Sequence, residues 1–139
     1  MTGEEARRRF AAATLAHLAT ADERAIPHVV PFVFVVRGET IYSAVDAKPK
    51  RTTALRRLAN VAANPHVAAL VDHYSEDWDS LWWARAEGLG RVLDATAPEA
   101  RDALALLSDR YHQYRRQPPG GPILAIDVER WSGWSASID

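Results

Sequence analysis

The links between the β-rich runs of this chain are short, and that limits its fold more than any other feature. Ile26 to Val36, IPHVVPFVFVV, is crowded with β-branched and aromatic residues and reads as a strand. Gly38-Glu39 turns the chain, and Thr40 to Val45 returns as the next strand. Upstream, Leu15 to Thr20 reads as a strand and Ala21 to Arg24 as a polar turn. Strands joined by links this short pair antiparallel, because a parallel neighbour needs a crossover of about a dozen residues. Pro27 and Pro31 each remove a ladder donor from the second run, which suggests an edge, a bulge or a break that faces a ligand.

The remaining elements extend the pattern. Glu4 to Ala13 reads as a helix with Ala6, Phe10 and Ala13 on one face. A second helix covers about Thr53 to Ala63, where Leu55, Leu58, Ala59 and Ala62 mark a buried stripe and Arg56, Arg57 and Asn60 lie away from it. Asn64-Pro65 ends it. His66 to Tyr74 and Leu81 to Asp94 read as strands, the latter bent at Gly88 and Gly90. Thr96 to Glu99 reads as a capping box that opens a helix with Leu104, Leu107, Tyr111 and Tyr114 on one stripe. Gln117 to Pro122 is a loop, and Ile123 to Val128 and Trp134 to Ile138 read as the last two strands. The expectation is one α+β domain over 1–139, mainly β: an antiparallel barrel with helices packed at its ends or flank.

Composition excludes several classes of function. A net charge of −1 argues against bulk attraction to nucleic acid or anionic lipid. With no cysteine, disulfides, cysteine zinc sites and thiol chemistry are absent. The first ten residues carry acids and arginines without an apolar core, unlike a signal peptide, and no apolar run reaches the roughly 18–20 residues of a membrane span. A cytoplasmic protein is the expectation.

The strongest functional signal lies between Ser43 and Arg56. Of seventeen basic residues only two are lysines, and both, Lys48 and Lys50, sit beside Arg51 just before the second helix. A helix start offers unpaired N–H groups and a partial positive charge, so cations placed there make an anion site, with phosphate the usual guest. Thr52, Thr53 and Arg56 are further candidates. The competing reading is a solvated basic loop.

Ala13–Thr20 (ATLAHLAT), Pro27–Val35 (PHVVPFVFV), Ile41–Lys50 (IYSAVDAKPK), Asn64–Asp72 (NPHVAALVD) and Trp82–Leu93 (WWARAEGLGRVL), in this order and spacing, resemble the pyridoxamine 5′-phosphate oxidase-like split-barrel flavoproteins. More narrowly, they resemble the coenzyme F420-dependent branch of actinobacteria. The resemblance implies a flavin-binding homodimer with two cofactor sites at the interface. By position, Ser43, Lys48, Lys50 and Arg51 would hold the cofactor phosphate, and Val30, Pro31 and Phe32 would run along the ring. The helix between Lys50 and Asn64 is longer than the commoner family form, which leaves the roles of Thr52, Thr53 and Arg56 open.

Trp78, in the acidic turn SEDWDS, is a candidate wall for a planar ring; Trp82, Trp83 and Tyr74 read first as packing. Trp131 and Trp134 read as dimer or core packing. The five histidines show no close metal-ligand spacing, and His28 and His73 are conceivable proton donors. No nucleophile elbow, P-loop or Rossmann fingerprint occurs. The function implied is F420-dependent hydride transfer to or from a small organic substrate, with FMN as the alternative cofactor. A non-catalytic deazaflavin carrier is the alternative from another class.

Overall fold

A computed structural model describes residues 1–45 and 52–137, with 52–55 as backbone only. The elements are α1 (Gly3–Ala12), β1 (Ala16–Ala21), β2 (Pro27–Phe32), β3 (Val35–Arg37), β4 (Thr40–Ala44), α2 (Thr52–Ala63), β5 (His66–His73), a 3₁₀ turn (Trp78–Ser80), β6 (Trp82–Leu93), α3 (Pro98–Arg110), α4 (His112–Arg116) and β7 (Ile123–Ser135). The seven strands form one sheet in the order β2-β1-β5-β6-β7-β4-β3. Every pairing is antiparallel, as the short links require for β1–β2 and β3–β4.

The two edges of this sheet, β2 and β3, are separated in sequence by Val33 and Phe34 alone. Three residue steps span roughly 10 Å at most. Six inter-strand spacings of a flat sheet would put the edges roughly 29 Å apart. The sheet therefore curls until its edges nearly meet, and it remains open because they do not pair with each other. Side chains hold the seam. The Ser43 hydroxyl donates to the Val33 carbonyl at 2.9 Å. The Tyr111 hydroxyl accepts from the Phe34 N–H at 3.2 Å and donates to the Phe34 carbonyl at 2.9 Å. Arg110 donates to the carbonyls of Phe34 and Ala13.

Inside the curl, Leu18, Val30, Phe32, Phe34, Ile41, Val67, Val71, Leu124 and Ile126 form one buried cluster with Ala6 and Phe10 of α1 and Val61 of α2. Phe10 meets the Phe34 ring at 4.9 Å and the Trp131 ring at 5.5 Å. A second cluster lies outside the sheet, where Ala100, Ala103 and Leu107 of α3 cover Val35, Tyr42, Ala44, Ile123 and Ala125.

Four sequence expectations are corrected here. The run Ile26–Val36 is two strands, broken at the seam where the chain passes from one sheet edge to the other. The two expected C-terminal strands are one, β7. A bulge opposite Glu87/Gly88 inserts Glu129, which reverses the alternation so that Trp131, not Ser132, points inward. A Cβ on Gly88 would stand 2.1 Å from the Asp127 carbonyl oxygen, which explains the glycine there. The capping box at Thr96 does not form: Thr96 bonds Asp94, α3 opens on Ala97 without a side-chain cap, and Glu99 is drawn away to Arg91 and Tyr42. Its helix breaks at Tyr111, and the buried stripe is Ala100, Ala103 and Leu107, with Leu104 half-buried.

Candidate functional site

A fifth correction concerns α2 and bears directly on the site. The expected stripe of Leu58, Ala59 and Ala62 is not the buried one: Leu58 is half-buried and both alanines are exposed. Asn60 and Val61 are buried instead, with Arg57 half-buried one turn earlier. The helix is rolled so that a polar flank faces the end of the barrel. There Asn60 Nδ2 donates to Thr20 Oγ1 at 3.1 Å, and Val61 packs against the close approach at Gly90. Alanine gives the periodicity little leverage, because it is tolerated on either face.

The expected site residues fall in three places. Lys48, Lys50 and Arg51 lie outside the described residues, and Thr52 is described only as the first position of α2. Val30, Pro31 and Phe32 lie on β2, which pairs with β1 alone and so presents an unpaired backbone edge. The Val30 and Phe32 side chains point into the core, whereas Pro31 is exposed. Ser43 is buried, its hydroxyl committed to Val33. These contacts bracket the β2 edge. Ser43 brings the end of β4 to Val33, and Asn60 brings α2 to Thr20, the cross-strand partner of His28.

Arg56 is exposed and adds a small attraction to Asp22. That carboxylate sits below its ordinary range chiefly because it accepts the Ile26 N–H, with Arg24 next. Arg57 differs from its neighbour. It makes no ion pair or hydrogen bond among the described residues, and its Nε is buried without an acceptor. Burial pushes its guanidinium below the ordinary arginine range, and Tyr114 opposes the shift. Its polarity marked it as solvent-facing in the sequence; only the roll of α2 reveals it.

Trp78 lies elsewhere. It is 69% exposed in the link from β5 to β6. β5 starts beside α2 at His66 and ends at His73, seven steps or roughly 23 Å away. The structure does not bring Trp78 to Arg56 within one chain. A cavity of about 610 Å³ opens at this far end beside His17, Asp72, His73 and Trp82, and a neighbour of about 360 Å³ adds Trp83 and Trp134. His73 stacks on Trp82 at 6.2 Å, and Arg9 lies over the Trp82 ring at 5.2 Å. No group of three His, Asp or Glu side chains fit to hold a metal occurs among the described residues.

Among the described residues, five buried side-chain atoms have no hydrogen-bond partner, and they divide into two groups. Arg57 Nε and His28 Nδ1 belong to the α2 end of the barrel. Arg85 Nε, Glu87 Oε2 and Ser132 Oγ lie together on the outer surface of β6 and β7, where Arg85 and Ser132 are direct register partners.

Comparison with known proteins gives a family. The model of the pyridoxamine 5′-phosphate oxidase family matches residues 2–135. No curated protein matches the chain. Among solved structures, the conserved hypothetical protein Rv2991 from Mycobacterium tuberculosis is similar at TM-score 0.72 and 20% identity, over 98% of this chain and 86% of that one. A FAD-binding protein from Mesorhizobium loti is similar at 0.72 and 19%, over 96% and 94%. HutZ, the heme storage protein from Vibrio cholerae, is similar at 0.73 and 15%, over 97% and 95%. At these identities the likeness establishes the fold.

Proposed function

Because the chain belongs to the pyridoxamine 5′-phosphate oxidase family, we propose that it binds a phosphorylated flavin-type cofactor, FMN or the deazaflavin F420, in a homodimer. The observation that carries this reading is the unpaired edge of β2, bracketed by the end of β4 and by α2. A planar ring with hydrogen-bonding groups along its rim fits such an edge, which offers free backbone N–H and C=O groups. Pro31 offers only its carbonyl. The orphaned Nδ1 of His28 at the same end of the barrel is a further polar atom in want of a partner. Lys48, Lys50 and Arg51, with the backbone start of α2 at Thr52, supply the cationic end, and Ser43 acts by holding the seam.

When bound, the cofactor supplies two-electron redox chemistry, and the protein supplies orientation, exclusion of water and electrostatics. The finer reading is hydride transfer between F420 and a small organic substrate in the cytoplasm. No helix among the described residues is long and apolar enough to cross a membrane. The dimer would form through the bare outer surface of β2, β1, β5, β6 and the end of β7, where Val29, Leu70 and Trp134 are 63%, 37% and 47% exposed. A second copy is also what would carry a distant Trp78 to the cofactor.

A second reading, a non-catalytic binding protein, is favoured by the shared fold of HutZ, described as a heme storage protein. One experiment separates the readings: parallel titration of the purified protein with FMN, F420 and haem, then turnover tests with the ligand that binds. Tight binding of F420 or FMN with substrate-dependent turnover supports the enzyme. Haem binding alone rejects the flavin reading.

A further inference from the structure

We infer that the cavity of about 610 Å³ beside His17, Asp72, His73 and Trp82 is the substrate subsite of the proposed cofactor site, and that it takes a planar compound bearing an amine or another N–H donor in preference to a carboxylic acid. The substrate role rests on the cofactor reading; the selectivity of the cavity does not.

The opening follows from how the sheet is joined. β1 and β5 pair through Ala19↔Ala68, Leu18↔Ala69 and His17↔Leu70, and the ladder stops there although β5 continues to His73. Arg110 ties the Ala13 carbonyl to that of Phe34, on the β2 flank of β1. The chain that enters β1 is therefore held on the side away from β5, and the gap is of a size that small ligands fill.

Its position links it to the β2 edge. His17 is the direct register partner of Pro31, and both are exposed. Register partners share a face of the sheet, with Cβ atoms about 5 Å apart. The cavity thus begins one strand in from the edge proposed to hold the ring, towards the Phe32 end of β2.

Its charge sets the ligand class. Arg9 is already engaged by Glu5 at 3.0 Å. Asp72 makes no hydrogen bond or ion pair among the described residues. The imidazoles of His17 and His73 can donate or accept, so they leave the choice to Asp72. An ammonium or ring N–H at that carboxylate makes a charge-assisted hydrogen bond, whereas a carboxylate there meets a like charge. His73 lies 6.2 Å from the Trp82 ring and within 16° of parallel, which gives the cavity a flat aromatic wall for a planar compound.

The test uses full-length protein without flavin and two probes with one ring and one linker, tryptamine and indole-3-propionate. Wild type should bind tryptamine at least tenfold more tightly than the acid, and Asp72→Asn should reduce that preference below threefold. By nuclear magnetic resonance, tryptamine should move the indole N–H signal of Trp82 and leave that of Trp134 in place, the two signals being identified with Trp82→Phe and Trp134→Phe. Equal affinity for the two probes, no binding of either at millimolar concentration, a preference that survives Asp72→Asn, or a response at Trp134 alone would overturn the assignment. The substrate role has its own readout. In flavin-loaded protein, tryptamine should change the flavin fluorescence in wild type and much less in Asp72→Asn; no difference between the two overturns that role. If no flavin binds, the cofactor reading fails by itself, and the two-probe titration still decides the cavity.

Discussion

Two arginines on one strand show how differently the halves of this sheet are finished. Arg91 lies where α3 covers the outer surface. Its guanidinium donates to both oxygens of Glu99 at 2.9 and 2.8 Å and to both oxygens of Asp127 at 2.6 and 3.1 Å. Arg85 lies where no described element covers the sheet. Its Nε has no hydrogen-bond partner and stands 3.7 Å from a Glu87 oxygen that has none either. β7 crosses the same boundary. Ile123 and Ala125 face α3 and are buried, whereas Arg130, Ser132 and Trp134, beyond the bulge, face outward without cover. Buried polar groups are normally satisfied. Here satisfaction tracks coverage within one chain, so the orphaned atoms of Arg85, Glu87 and Ser132 mark the surface on which the proposed second copy would dock.

The sharpest way to break that comparison is one substitution made in both halves. Leu107 is fully buried under α3, so Leu107→Ala should cost about 2–5 kcal/mol. Leu70 is 37% exposed on the bare surface, and Leu70→Ala should cost under about 1 kcal/mol at concentrations where the protein is monomeric. Urea unfolding at high dilution measures both. Equal losses would mean that the bare half is packed within the monomer after all.

Next in size is the dimer. Trp134 pairs across the sheet with Trp83, next to Asp72, at the aromatic end of the bare surface. An aromatic anchor at an interface centre contributes about 2 kcal/mol or more. Trp134→Glu should therefore shift sedimentation to the monomer at micromolar concentration while the circular dichroism stays native. A wild-type protein that is already monomeric would remove the second copy from the comparison and leave Arg85, Glu87 and Ser132 without an account.

The comparison also explains what the sequence disclosed. Antiparallel pairing, the strand content and the core face of α1 at Ala6, Phe10 and Ala13 were legible, because short links and helical periodicity are local signals. The count of seven strands came out right through two compensating errors, one run split at Val33-Phe34 and one pair fused through Glu129. Both depend on where distant chain segments meet, and alternation alone does not carry that information. The site was legible in part. An edge strand was one of the readings of Pro31, but the half-buried place of Arg57 was not legible, because an Ala-rich helix leaves its buried face undetermined until Thr20 and Gly90 fix the roll. Trp78 was grouped with a site that, within one chain, lies at the other end of β5.

The smallest expected effect probes the finished half. Arg91 first, and then the Tyr42 hydroxyl at 2.7 Å, pull the Glu99 carboxyl down from its ordinary value to about 2. A depressed carboxylate stabilises the folded state at pH above its unfolded value, near 4.5, and the gain is lost as pH falls from there towards 2. The full shift overstates the gain, because Glu99 and Arg91 keep 34% and 40% side-chain exposure and water screens the pair; about 1 kcal/mol is the expected size. Glu99→Gln should therefore lower stability by about 1 kcal/mol at pH 7 and converge with wild type by pH 2. The check is a pair of unfolding series across that range. An offset that persists unchanged at pH 2 would show that Glu99 acts through packing rather than charge, and would weaken the claim that α3 is clamped to the sheet by a satisfied ion network.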